Sequence, residues 1–287
     1  MMTPGRRQPW IGARSGDCVP CLNLFPTYAS RAQLGTATYA EYLSRFIEVV
    51  NPLMLCYDNY PFLKNGTDRR NFEDFFLNLE LVRDVSVKHD IPAWLAGQAD
   101  WWTGLREASE AELRVQAYSA LAYGFTGIGY FTYWPVNRPY EAAVDYQGKR
   151  QPLYEAIRRV NLRVKELGDM LVSMRSLGVY HTGQRIPEGC RRLPVTVPLL
   201  IEGKGTLVVG LFAGEKGRYA MLVNRNYTQP TKFLVTLQQE SRGLWVVEGS
   251  GSELAIDEKE DGQGRLSLEP GGGVLLRLGT SPDHRPF

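Results

Sequence analysis

The first half of the chain repeats one pattern of apolar and polar positions. Short continuous apolar runs are each followed by a turn rich in Pro, Asn and aromatic residues, and then by a stretch with helical spacing. The pattern predicts strands at 19–25, 53–58, 93–98 and 127–134, with helices at 38–50, 71–89, 109–124 and 152–174. Four βα units in succession indicate a parallel sheet whose strands all end at one edge.

The pattern changes near residue 178. Apolar positions then alternate with polar ones at 206–212, 219–224, 233–237, 243–248 and 273–278, between turns rich in Gly, Asn and Asp. This alternation is typical of an antiparallel β-sandwich. We therefore predict an α/β unit over 18–176 and an all-β sandwich over 177–287. Residues 1–17 show no periodicity and are predicted to be a disordered leader.

Composition excludes several classes of function. The 287 residues include 33 Lys and Arg against 31 Asp and Glu, a net charge of +2. This balance gives no electrostatic basis for binding nucleic acid or an anionic membrane. No apolar run approaches the ~20 residues that span a bilayer. The N-terminus lacks the apolar segment of a signal peptide, and the sequence predicts no compartment.

The cysteines do not form a recognisable metal or redox site. Cys18 and Cys21 have Cys-x-x-Cys spacing, but the motif leads into a predicted strand rather than a helix. Cys56 and Cys190 are isolated, as are the three histidines, whereas structural zinc needs four ligands. We therefore predict ordinary thiols, no metal and no cofactor.

Aromatic and polar residues gather at the predicted strand ends. Tyr133 and Trp134 end the fourth strand, and a flat aromatic ring there can bind the apolar face of a sugar. The alternative is that Trp134 belongs to the core. The other candidates for contacts with a sugar are Asn23, Tyr57, Tyr60, Gln98 and Trp101.

Three carboxylates lie at the same predicted edge. Asp58 ends a buried strand between two tyrosines, a setting that both desolvates and hydrogen-bonds a carboxyl group, so it is our first catalytic candidate. Its alternative role is in a turn or a helix cap. Asp100, before Trp101, is the second candidate, either in a sugar subsite or in an exposed loop. Asp145 is predicted to be a turn residue.

Five segments in order resemble a known family. They are Asn23-Leu-Phe-Pro-Thr-Tyr28, Tyr57-Asp-Asn-Tyr-Pro-Phe62, Ala122-Tyr-Gly124, Gly129-Tyr-Phe-Thr-Tyr-Trp134 and Gly148-Lys-Arg-Gln-Pro-Leu-Tyr154 with Val160-Asn161. They are similar to the C-terminal half of bacterial (β/α)8-barrel glycoside hydrolase-like proteins related to the β-galactosidase type, which carry a β-sandwich after the barrel. The resemblance covers about residues 20–180. It implies a partial barrel of strands 5 to 8, with strands 1 to 4 missing.

The resemblance also implies a function. Glycoside hydrolysis usually needs two carboxyl groups. In the resembled proteins the acid/base is a Glu at the end of strand 4, which has no counterpart here, and many relatives have their nucleophile where this chain has Gln98. We therefore expect a glycoside hydrolase-like protein that acts on or binds a glycan. Whether it is active or a truncated and inactive fragment stays open at this point. The alternatives are a non-catalytic carbohydrate-binding module and a half-barrel completed by a missing N-terminal half or a second copy.

Overall fold

The computed structural model describes residues 20–65, 68–101, 104–135, 142–238, 243–248, 253–256 and 262–279. The predicted leader and Cys18 lie outside these ranges. The first half forms a parallel sheet of four strands in the order β1-β2-β3-β4, with helices between them. Its elements are β1 (Asn23–Leu24), α1 (Arg31–Leu34), α2 (Tyr39–Val50), β2 (Leu55–Asn59), α3 (Asp68–His89), β3 (Ala93–Gln98), α4 (Glu110–Ala122), β4 (Gly127–Phe131) and α5 (Pro152–Leu171).

The second half forms two antiparallel sheets. One has the order β11-β10-β13-β8-β7-β5 and the other β12-β9-β6. Their strands are β5 (Arg175–His181), β6 (Leu199–Glu202), β7 (Leu207–Gly214), β8 (Gly217–Asn224), β9 (Thr231–Leu237), β10 (Leu244–Val247), β11 (Glu253–Ala255), β12 (Gln263–Leu268) and β13 (Gly273–Leu278). A parallel α/β part followed by antiparallel strands is thus confirmed. The half-barrel, the sandwich and the division at 176/177 stay predictions, and the first two residues of β5 lie before that division.

Capping boxes fix the first turn of three helices, α1, α2 and α4. The Thr38 side chain accepts a hydrogen bond from the Glu41 amide, and the Glu41 side chain accepts one from the Thr38 amide. Ser109 and Glu112 make the same pair of bonds at the start of α4. Each box satisfies two amide groups that have no partner within the helix.

Helix α4 lies at the centre of the molecule. Ten of its 13 residues are buried, because it packs on β3 and β4 on one side and on β7, β8 and β13 on the other. Gly210 of β7 approaches the Ala122 carbonyl so closely that any Cβ at residue 210 would collide with it. One hydrophobic core therefore runs from the parallel sheet to the near face of the six-stranded sheet. The far face of that sheet shares a second core with the three-stranded sheet.

The two faces of the parallel sheet differ in their surroundings. Leu55, Tyr57 and Leu95 are buried in the core on the helix-covered face. The register aligns a first row of residues on the opposite face and a second row two positions further along each strand. We call this opposite face the open face; its residues are Asn23, Cys56, Trp94 and Gly127 in the first row and Asp58, Ala96 and Gly129 in the second.

Candidate functional site

Asp58 is the centre of a hydrogen-bonded polar cluster on the open face. It lies within β2, not in the turn that follows. The Asn23 side-chain amide donates to Asp58 Oδ1 at 2.8 Å, and the Tyr60 hydroxyl also bonds the carboxylate. The Tyr60 backbone amide donates to the Tyr28 hydroxyl at 3.3 Å. Burial raises the pKa of Asp58, and the bonds from Asn23 and Tyr60 partly offset the rise. The result is a half-buried acceptor held in one orientation.

Tyr57 does not belong to this cluster, and its prediction as a sugar-binding residue is wrong. Its side chain is 0% exposed and packs edge-on against Phe125 with ring centres 6.0 Å apart. Neighbouring residues of a strand point to opposite faces. Since Asp58 faces the open side, Tyr57 must face the helices.

Gln98 is also wrongly predicted as a ligand-binding residue. Its side chain is 0% exposed, and its amide nitrogen donates to the Phe62 and Arg106 carbonyls at 2.8 and 2.7 Å. Its amide oxygen accepts from the Phe62 backbone amide at 2.8 Å. Gln98 therefore joins the segment after β2 to the segment before α4, and every polar atom of its side chain is used in doing so.

The second carboxylate, Asp100, lies beyond the end of β3. Its side chain accepts from the Trp101 backbone amide at 2.7 Å, and burial raises its pKa to about 6. Asp58 is in register with Ala96, four residues before Asp100. Asp58 is bonded to Asn23, whereas Asp100 is bonded to the amide of its own loop. The two carboxyl groups therefore lie at different levels of the sheet and in separate surroundings.

The remaining candidates occupy the segments after β3 and β4. Trp101 is half-buried, with the Lys64 ammonium 3.9 Å from its ring centre. Tyr133 and Trp134 are 60% and 47% exposed, so Trp134 is not a core residue. The Tyr154 ring lies 6.4 Å from that of Tyr133. The Phe131–Thr132 peptide bond before them is cis.

Asp145 is a turn residue, as predicted. Its carboxylate accepts from the Gln147 and Lys149 backbone amides at 2.9 and 2.8 Å and from the Gln151 side chain at 3.0 Å. These bonds close the turn before α5. The Tyr146 ring within this turn lies 6.2 Å from the Trp134 ring and perpendicular to it, so the turn supports one side of the indole.

Exposed aromatic side chains are concentrated on one part of the surface. Among the described residues, all the large hydrophobic side chains that are exposed on α-helices or antiparallel strands are aliphatic. The exposed aromatic ones lie on the parallel sheet or directly after its strands; they are Phe25, Tyr28, Trp94, Tyr133 and Trp134. Sequence reasoning missed Trp94, which stands inside an apolar run that reads as wholly buried.

Cys56 is the thiol that lies beside the polar cluster. Cys56 Sγ lies 3.8 Å from Asn23 Oδ1, and burial raises the pKa of the Cys56 thiol. In the described ranges, no three His, Cys, Asp or Glu side chains are grouped as metal ligands. Likewise, no helix in these ranges is long and apolar enough to cross a bilayer.

Comparison with known proteins finds distant structural likenesses, among them two enzymes. No family model and no curated protein matches the chain. AbfB, a family 51 α-L-arabinofuranosidase from Bifidobacterium longum, is 12% identical with a TM-score of 0.41 over 93% of this chain and 60% of that one. Gamma-CGTase from alkalophilic Bacillus clarkii is 11% identical with a TM-score of 0.35 over 83% and 38%. The chain thus spans less than two thirds of either structure. Both TM-scores are low, so neither likeness assigns a fold family or an activity.

Proposed function

We propose that the chain binds a glycan at the carboxyl-terminal edge of the parallel sheet. The observation that carries this proposal is that, among the described residues, the exposed aromatic side chains lie on that sheet and on the segments after its strands. Such rings are costly to leave in water, and they match the apolar C–H face of a sugar ring. Tyr133 and Trp134 supply the most exposed rings after β4.

The polar cluster supplies the complementary half of a glycan site. The Asp58 carboxylate has more acceptor positions than Asn23 and Tyr60 occupy, and sugar hydroxyls are the matching donors. The Tyr60 ring lies 5.7 Å from the Phe131 ring, which links the cluster to the end of β4. Tyr60 and Phe131 therefore join the polar and the aromatic parts.

Glycan hydrolysis is the second candidate function. A raised carboxyl pKa suits a general acid, and both Asp58 and Asp100 have one. Hydrolysis also requires the two carboxyl groups to flank one bond, about 5–5.5 Å apart for retention and roughly 6.5–9.5 Å apart for inversion. The separate surroundings of Asp58 and Asp100 favour binding over turnover by this chain alone. A partner chain on the open face, whether a missing half-barrel or a second copy, would be the source of another carboxylate.

The test is binding of the purified chain to a panel of plant and bacterial polysaccharides by affinity gel electrophoresis. We expect retardation by at least one polysaccharide. Trp134→Ala should weaken it roughly five- to tenfold, because one stacking face is lost, and Trp134→Phe should weaken it less. Asp58→Asn should also weaken binding. Leu254→Ala removes an exposed side chain from β11 and should bind like the wild type.

Two results would refute the proposal. One is that no polysaccharide in the panel changes the migration of the wild type. The other is binding that Trp134→Ala and Asp58→Asn both leave unchanged. Turnover of aryl glycosides that disappears in Asp58→Asn would instead favour hydrolysis.

A further inference from the structure

The strip of the open face that runs from Trp94 past Gly129 to Phe131, which we call the groove, has an exposed aromatic ring at its first end. Trp94 is 42% exposed, and its indole lies over Gly127, where any Cβ would collide with the ring. Two positions further along the sheet, Ala96 and Gly129 form a floor of small residues. A Cβ added at Gly129 would have no heavy atom of the described residues within 4 Å, so none of these residues fills the space above this floor.

Both ends of this groove are aromatic, and one side is polar. Trp94 stands at the first end, and the contacting rings of Tyr60 and Phe131 stand at the other. From Gly127 to Phe131 is four residues of β4, about 13 Å at the usual rise of a strand, which is longer than a single sugar ring. Asp58 on β2 is paired in register with Ala96 on β3, so its carboxylate lies along one side of the groove.

The polar side indicates what kind of molecule fits. A flat apolar protein surface laid over this face would take the Asp58 carboxylate out of water without offering it donors, which is unfavourable. A chain of sugar residues offers hydroxyl donors to Asp58 and the Asn23 amide, and C–H faces to the Trp94 indole. The small floor leaves room for its rings.

We infer that the open face is an oligosaccharide groove that continues the proposed glycan site, so that the ligand is a chain of several sugar residues. Trp94 stacks on a sugar residue beyond the one held at Trp134, and Gly129 provides the space between them. This inference rests on the proposed function, because it takes the same ligand class further along the sheet.

Gly129→Leu is the sharpest test, since it fills the groove without touching any polar partner. Gly129 is not in the left-handed region, and the space around it is empty, so the variant should fold. Gly168→Leu is the matched control: this glycine lies in α5, also outside the left-handed region and also with no heavy atom near its Cβ position. Circular dichroism and the urea midpoint establish that each variant is folded.

The probes are xylo-, cello- and galacto-oligosaccharides of one, two, four and six residues, titrated by calorimetry. For the wild type and Gly168→Leu, we expect affinity to rise with chain length. For Gly129→Leu and Trp94→Ala, most of that rise should disappear, a loss of about tenfold or more for the hexamer, while monomer affinity changes little. If Gly129→Leu does not fold, Trp94→Ala provides the same test.

The outcomes separate this inference from the proposed function. The groove inference would be overturned if both variants bound the hexamer as tightly as the wild type does. It would also be overturned if the affinity of the wild type did not depend on chain length. In either case, weaker binding by Trp134→Ala would leave the proposed function intact. Absence of wild-type binding at every length would overturn the groove alone if a polysaccharide still retards the wild type, and both proposals if none does.

Discussion

The Tyr123 hydroxyl lies 2.8 Å from Nε2 of His181, where the end of α4 meets β5. His181 is 0% exposed, and its ring packs edge-on against Phe76 at 5.2 Å. Its other ring nitrogen, Nδ1, has no hydrogen-bond partner in the described part of the chain. Burial, and then the charge of Arg225, lower the pKa of His181 well below its ordinary value. The buried imidazole is therefore neutral.

Mild acid should weaken the fold through His181. Because the folded pKa is depressed, the contribution of this group is fully present above the unfolded pKa of about 6.5. It is lost progressively as the pH falls from there through the folded value. His181→Gln keeps an acceptor for Tyr123 and removes the titration. As the pH is lowered from 7.5 to 5, we expect the free energy of unfolding in urea to fall more for the wild type than for the variant. A difference between the two proteins that is independent of pH would contradict this account.

Asp100 should have the opposite pH dependence. Burial raises its pKa to about 6, above an unfolded value of about 3.9, so the folded state favours the protonated form. The stabilisation is present below the unfolded pKa and is lost as the pH rises through about 6. Asp100→Asn should raise the urea midpoint at pH 8 and change it little at pH 4. Asp169→Asn alters an exposed carboxylate on α5 and serves as the control. An equal effect of Asp100→Asn at both pH values would argue against burial as the cause.

Gly210→Ala should destabilise the protein, since the new Cβ collides with the Ala122 carbonyl of α4. Overpacking of this kind costs about 1–3 kcal/mol, and neither backbone can move freely. The matched change Gly168→Ala lies in α5 with empty space around it and should stabilise by up to about 1 kcal/mol. Urea unfolding of both variants measures the contrast. Gly210→Ala with wild-type stability would mean that α4 and β7 can separate at no cost.

Gln98→Leu should lower stability without changing glycan affinity. It leaves the Phe62 amide and carbonyl and the Arg106 carbonyl without the bonds they now make to this side chain. We expect a loss on the order of 2–4 kcal/mol by urea unfolding. Gln147→Leu, an exposed position, is the control. If the folded Gln98→Leu variant binds its polysaccharide more weakly than the wild type, Gln98 contacts the ligand after all.

Local sequence signals predict the first half of the chain well. The strand at 93–98 has the predicted bounds, because the apolar run that follows Pro92 and ends at Gln98 marks where the strand begins and ends. The strand at β1 is far shorter than predicted, two residues rather than seven. In the second half, β12 was missed because Gln, Gly, Arg and Ser dominate its sequence, and its pairing with β9 is what makes it a strand.

The site is harder to predict than the fold, because its residues depend on distant partners. Asp58 and Trp134 could be chosen from residue type and strand position alone. The role of Gln98 depends on Phe62, 36 residues away, which no local pattern indicates. Trp94 was missed because a continuous apolar run does not tell which alternate positions face a helix and which face open space.

The position of α4 between two sheets limits how far this molecule can be divided into modules. A chain cut after residue 176 would leave the side of α4 that now packs on β7, β8 and β13 bare, and would strip the near face of the six-stranded sheet as well. The core that the two halves share would be split between the pieces, while the second core, which lies wholly in the second half, would stay whole. The boundary that is so clear in the amino-acid pattern therefore cuts through a shared core, and a chimaera joined there would expose apolar surface on both of its parts unless the partner supplied a matching face.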